Sequence, residues 1–443
     1  MSVKQEAKHF ENLLSEVLAH AKKQGATDAE ASVHYESGLS ATVRMGSVEK
    51  IEFNKDKSLG LTVYKGRRKG SVSTTDISPD AIQSAIQAAL RIAEYTEEDP
   101  FSGLAEVEML AKTCPDLDLY HPSNISPEQA IQFATECEDA ARATDPRITQ
   151  SEGATFGTHG GICVYGNTTG FIGSYPSTRH SLSCVVVGES KGLLQRDYDF
   201  TVARDIQDLT SAVGIGVQAA KRTLKRLDAK KIKTCEAPVI FSKEVAGGLW
   251  GQLIAAISGG NLYRQASFLL DCLGKTIFPS FVEIEEAPHL RKGLGSAPFD
   301  QEGVATQRHA IVKGGVLESY VLGSYSARKL GLKTTGNAGG VHNLLVSHGQ
   351  LDLTGLIQKM NKGLLITELM GQGVNLVTGD YSRGATGFWI ENGVVQYPVE
   401  EITVAGNLKE MFLQIVDIGS DIEKRSNILT GSVLLENMTI GGN

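Results

Sequence analysis

Between residues 5 and 225 the sequence presents one order of signals twice, and that repetition constrains the fold more than any single motif. Phe10, Leu13, Leu14, Val17 and Leu18 recur at the spacing of an amphipathic helix over residues 5–24, and Gly25 ends it. Alternating runs follow at Ala31-Val33-Tyr35, Ala41-Val43 and Leu59-Leu61-Val63, punctuated by Gly38, Gly46, Gly60, Gly66 and Gly70. This pattern predicts an antiparallel meander that turns at the glycines. Ser78 as a cap and Pro79 at the first helical position then open a closing helix, whose apolar face is Ile82, Ile86, Ala89, Leu90 and Ala93.

After a low-regularity connector at 98–123 the order returns. A helix opens at Ser126-Pro127, and strand-like runs follow near Thr155, Ile162–Val164, Phe171-Ile172, Leu182–Val187 and Tyr198–Val202. Asp205-Ile206 leads into the closing helix as Asp76-Ile77 led into the first. Duplication gives this order, and so does the ordinary alternation of an α+β protein. The expectation is an α+β chain with helix/meander/helix units at 1–97 and 124–228, followed by a mainly β domain at 236–443. That third domain is expected to begin with a helix at about 243–258.

Charge and cysteine usage narrow the functional classes. Forty-three Lys and Arg against 51 Asp and Glu leave a net charge of −8, which a phosphate backbone would repel, so nucleic acid is not expected as a partner. The basic stretch from Lys221 to Lys233 reads as a helix C-terminus and a solvated linker. No apolar run approaches the roughly 18 residues of a membrane span, and the charged opening segment lacks an export signal. The six cysteines form no CxxC pair and read as thiols of a reducing compartment, so a cytoplasmic protein is expected.

Standard catalytic signatures are absent or incomplete. There is no HExxH, and Gly274-Lys275-Thr276 has Leu269 where a phosphate loop needs glycine. Gly188-Glu189-Ser190-Lys191-Gly192 spells GxSxG but lies between strand-like runs, so a hairpin turn is expected rather than a nucleophile elbow. His289 and the carboxylates Asp300 and Glu302 near His309 could hold a metal or move protons, or could form a charged turn beside a solvated histidine. Asp380 and Arg383 could clamp the polar ends of a peptide or form an ion pair across a hairpin. His342 could face a cavity or serve as a structural histidine.

Several longer stretches carry more specific information. Phe268–Asp271, Ser296–Asp300, Ser324–Lys333, Thr367–Gly373, Thr378–Gly384, Gly387–Gly393 and Glu401–Leu408 strongly resemble the TldD/PmbA family, on its PmbA (TldE) side. The resemblance extends more weakly over the whole chain. It implies three parts and a cytosolic metallopeptidase system in which a TldD-like chain pairs with a TldE-like chain to cleave peptides or unfolded proteins. In the TldD branch a helix at the start of the third domain bears HExxxH, whose two histidines hold a catalytic metal with a later cysteine. Here Lys243 stands at the first histidine position, Glu244 keeps the glutamate, and Gly248 stands at the second; no cysteine follows Cys272.

The resemblance therefore implies a subunit without metal or cofactor of its own, with zinc expected in the TldD-like partner. The chain is expected to self-associate as a homodimer when alone or to pair with a TldD-like chain, through its third domain, where the apolar Gly387-Phe388-Trp389-Ile390 stretch would supply surface or strand edge. Two other classes stay open. One is a self-sufficient hydrolase whose donors come from His289, Asp300, Glu302, His309, His342 and Asp380. The other is a non-enzymatic regulatory protein that binds peptides or proteins.

Overall fold

The structure, a computed structural model, describes residues 3–442. Its first part runs α1 (Val3–Lys23), β1 (Asp28–Arg44), β2 (Ser47–Lys65), β3 (Arg68–Thr74) and α2 (Pro79–Tyr95). The second repeats this order as α3 (Pro127–Ala143), β4 (Ile148–Asn167), β5 (Ile172–Ser190), β6 (Leu193–Ala203) and α4 (Ala212–Arg226). Of the expected helix starts, Ser126 makes a full capping box with Gln129, whereas Ser78 has no side-chain cap bond.

The strand runs merge where breaks were expected. Ala31–Tyr35 and Ala41–Val43 belong to one strand, Thr155 and Ile162–Val164 to another, and the five runs of the second unit form three strands. Gly46 and Gly66 do turn the chain, with φ of 76° and 62°. Gly38 instead sits inside β1, where a side chain would meet the ring of His159 on the neighbouring strand. Glycine serves close approach there, a use that turn statistics do not distinguish from turning.

All six strands form a single antiparallel sheet in the order β3-β2-β1-β4-β5-β6. The two halves thus mirror each other across the β1–β4 pair, with matching strand order on either side. The central strands serve both halves. Ala31 and Val33 of β1, with Ile162 and Val164 of β4, pack under α1 and α2. Leu39, Ala41 and Val43, with Ala154 and Phe156, pack under α3 and α4. The hairpin expected at 188–192 is present, with Lys191 and Gly192 both at positive φ between β5 and β6.

The third part is mainly β. It comprises β7 (Cys235–Phe241), α5 (Lys243–Ala256), α6 (Gly259–Tyr263), β8 (Ile284–Glu286), β9 (His309–Lys313), β10 (Val316–Leu317), α7 (Ser324–Leu330) and β11 (Leu344–Val346). These are followed by α8 (Leu353–Met360), β12 (Gly363–Met370), β13 (Asp380–Glu391), β14 (Val394–Asn407), α9 (Leu408–Leu413), β15 (Ile415–Ile418), β16 (Ile428–Leu429) and β17 (Val433–Gly441). One sheet runs β14-β13-β12-β7-β17-β15 and a smaller one β10-β9-β8-β11-β16. Trp250 and Phe278, both fully buried, stand in the core of this part.

One expectation is corrected here. Gly387–Ile390 lies on β13, hydrogen-bonded between β12 and β14, and Ile390 is fully buried, so the stretch supplies neither a free edge nor an apolar surface. The 98–123 connector is irregular, as expected, and it packs against the third part. Arg328 of α7 donates to the carbonyls of Phe101, Gly103 and Leu104, and Leu110 bridges to Val304. No helix among the described residues is long and apolar enough to cross a membrane.

Candidate functional site

Helix α5 leaves the central strand β7 at Ser242, whose N–H donates to the carbonyl of Ile366 on β12, while the N–H of Lys243 donates to Ser432 Oγ at 3.0 Å. These bonds fix where the first turn of α5 begins. The turn faces α4 and β6, and between them lies a cavity of about 320 Å3 lined by Arg222, Arg226, Glu244, Gly248, Glu368 and Arg383, among others.

The two arginines correct the solvated reading of the basic stretch. Lys221 and Lys225 are exposed, but Arg222 and Arg226, four residues apart on α4, point inward. Arg222 reaches Asp197 Oδ1 at 3.3 Å and Glu244 Oε1 at 3.4 Å. Arg226 reaches Asp197 Oδ2 at 3.4 Å and Glu368 Oε2 at 2.7 Å, and donates to Thr386 Oγ1. Burial opposes the charge of Arg222, yet Asp197 and Glu244 outweigh it and hold its pKa above the ordinary value. Asp197 itself is 7% exposed and is bonded by both guanidiniums.

Lys243, Glu244 and Gly248 all lie on the first turns of α5. A side chain added at Gly248 would meet nothing within 4 Å, so packing does not require glycine there. Glu244 is engaged by a guanidinium. Zinc takes imidazole, thiolate or carboxylate donors, and this pocket offers three arginines and carboxylates already paired with two of them. The donor set does not fit a zinc ion.

The remaining candidates fall in different places: His342 and His309 share Glu286, and His342 and Asp300 line one cavity, whereas Arg383 and Asp380 stand elsewhere. Arg383 joins the α5 pocket, where its Nε is buried without a hydrogen-bond partner. Asp380 is exposed, accepting from Thr378 Oγ1 at 2.6 Å and from Asn407 Nδ2 at 3.1 Å; it makes no ion pair with Arg383. His342 lines a separate cavity of about 330 Å3, and its Nδ1 lies 2.7 Å from Glu286 Oε1. Glu286, which sequence reasoning did not single out, also lies 3.7 Å from His309 and accepts from Asn337. Asp300 does not converge with His309. It accepts backbone N–H groups of Glu302, Val304 and Ala338, and burial pushes its carboxyl up to about 7. Glu302 accepts from Ser324 N, and His289 is bonded to Thr306.

Glu286 is 1% exposed, and its burial alone would raise its pKa; the bonds from His342 and Asn337 overcome this and hold it below the ordinary 4.5. A folded-state pKa below the unfolded one adds stability above the unfolded value, and that stability is lost as pH falls through the folded value. Glu286→Gln is therefore expected to cost about 1–3 kcal/mol at neutral pH. The gap from the parent chain should close as pH drops below 4.5. Urea midpoints across that range measure it, and a gap that does not vary with pH would contradict it.

Comparison with known proteins agrees with this architecture. Residues 29–93, 120–227 and 234–442 match, in turn, domain 1, the central domain and the C-terminal domain of the PmbA/TldA metallopeptidases. The chain belongs to the PmbA/TldA metallopeptidase family. Metalloprotease PmbA of Escherichia coli O157:H7 is 53% identical over 425 residues, covering 96% of this chain and 94% of that one. A crystal structure of a Bacteroides thetaiotaomicron protein superposes with a TM-score of 0.93 at 29% identity, covering 98% of each chain. TldE of Thermococcus kodakarensis shares the fold, with a TM-score of 0.84 at 20% identity over 97% of this chain and all of that one.

Proposed function

We propose that this chain is the subunit of a cytoplasmic TldD/TldE-type peptidase that carries no metal, and that zinc and bond cleavage belong to a TldD-like partner. The observation that carries this reading is the ion-pair network at the start of α5. At the positions where the family resemblance puts two histidine ligands stand Lys243 and Gly248. The glutamate between them is paired with Arg222. A carboxylate so engaged has no water to activate, and a dication beside Arg222, Arg226 and Arg383 would be repelled. When bound in the partner, zinc would supply Lewis-acid polarisation of the scissile carbonyl. This chain contributes a folded companion surface, and its substrate class is a peptide or unfolded protein. Three structural units near 1–97, 124–228 and 236–443 are part of the same proposal.

The test is a three-way assay of an unstructured peptide with this chain, a TldD-like partner, and their mixture. Cleavage is expected only with the mixture. Turnover by this chain alone would restore the self-sufficient hydrolase.

A further inference from the structure

A second cavity is larger than the α5 pocket. It measures about 820 Å3 and lies between the β1–β3 face of the first sheet and the α6–α7 region of the third part. Glu30 of β1 and Glu302 of the loop after β8 stand on its two walls, with hydroxyls such as Ser32, Thr62, Ser71 and Tyr263 around them. No lysine, arginine or histidine lines it. The cavity that holds His342 adjoins it, and Ser32, Tyr165, Gln301 and the 338–340 loop line both.

The electrostatics of this cleft are unbalanced. Glu30 accepts from Tyr64 OH and Tyr165 OH, each at 2.8 Å, so both its oxygens have neutral partners only. Burial raises its pKa first, and the charge of Glu302 raises it further; Lys69 offsets this only from outside the lining. Glu302 is bound through Oε2 by the N–H of Ser324. Ser324 is 1% exposed and its hydroxyl has no hydrogen-bond partner; it stands behind the wall formed by its neighbours Gly323 and Tyr325. Among the described buried carboxylates, Asp197, Asp199, Glu286 and Glu423 each have a cationic or histidine partner within 4 Å, and Glu138 and Asp300 are held by backbone N–H groups; Glu30 has only its two tyrosines.

We propose that this cleft is a binding site for a primary ammonium group on an extended polar chain, held between Glu30 and Glu302. The ammonium supplies the missing positive charge, and the hydroxyl-rich walls take the polar chain behind it. A peptide amino terminus and a polyamine share this chemistry. Because the site lies on this chain alone, it stands or falls independently of pairing with a TldD-like partner.

The test is calorimetric titration of the full chain with triglycine, N-acetyl-triglycine and spermidine, repeated on Glu302→Gln and Glu30→Gln. Saturable binding of triglycine, of spermidine, or of both at roughly 1 mM or below is expected. Acetylation should abolish it, and either substitution should weaken it by roughly tenfold or more. If one variant fails to fold, the other serves, since a glutamine at 302 still offers an oxygen to Ser324 N–H. The ligand-free Glu302→Gln chain should also melt at a higher temperature, because like charges no longer face each other. Which of the two amines binds identifies the source. Equal binding of the acetylated peptide, unchanged affinity in both variants, or no saturable binding by either amine would overturn the proposal.

Discussion

Asp197→Ala is expected to destabilise the chain by roughly 3–5 kcal/mol, because it leaves two buried guanidiniums without their shared carboxylate. Asp197 bonds both Arg222 and Arg226, whose side chains are only 18% and 13% exposed. Arg226 would keep Glu368 and Arg222 would keep Glu244, but each would lose its most buried partner. The network joins the second part to the third, with a second tie nearby: Arg425 is paired with Glu423 and Asp199 and stacks on Phe200. Urea unfolding measures the loss. Lys8→Ala, at a side chain 70% exposed and paired with Glu11, should change stability by no more than about 0.5 kcal/mol. A loss at Asp197 no larger than that would show that the network does not hold the joint.

Trp250→Ala should cost as much, about 3–5 kcal/mol. Trp250 is fully buried on α5, two residues after Gly248, and packs against Phe278 with ring centroids 5.7 Å apart. Its Nε1–H donates to Thr430 Oγ1 at 2.8 Å, and Thr430 is itself fully buried. Truncation therefore leaves a cavity and a buried hydroxyl short of one bond. Trp250→Phe keeps most of the volume and should recover more than half of the loss. This pair of variants tests whether α5 is held by its own core rather than by a bound ion. If Trp250→Ala left the thermal midpoint unchanged, that account of α5 would fail.

The sequence revealed the order of elements because helix and strand periodicities are local properties. Phe10 to Leu18 and Ile82 to Ala93 pack as their spacing predicts. Strand lengths were less legible. Gly38 and Gly60 resemble turn residues in any local window, yet both lie inside long strands, and only the pairing partner explains Gly38. The merging of two units into one sheet was not legible either, because the pairing of β1 with β4 joins residues more than a hundred positions apart. At the site, Lys243, Glu244 and Gly248 were marked by the family resemblance. Arg222 and Arg226 were hidden among seven cations between Lys221 and Lys233, where local composition favours solvent. Their i, i+4 spacing was the available signal, together with Asp197 and Asp199 on one face of the strand before them. Glu286 gave no signal, because its partner His342 lies far along the chain.

Metal content tests the central claim most directly. Elemental analysis of the chain purified alone, and of its mixture with a TldD-like partner after removal of loosely bound ions, gives zinc per mole of each polypeptide. The account predicts no stoichiometric zinc in this chain and zinc in the pair only in proportion to the partner. One equivalent of zinc in the isolated chain, lost on Glu244→Gln with the fold intact, would contradict it.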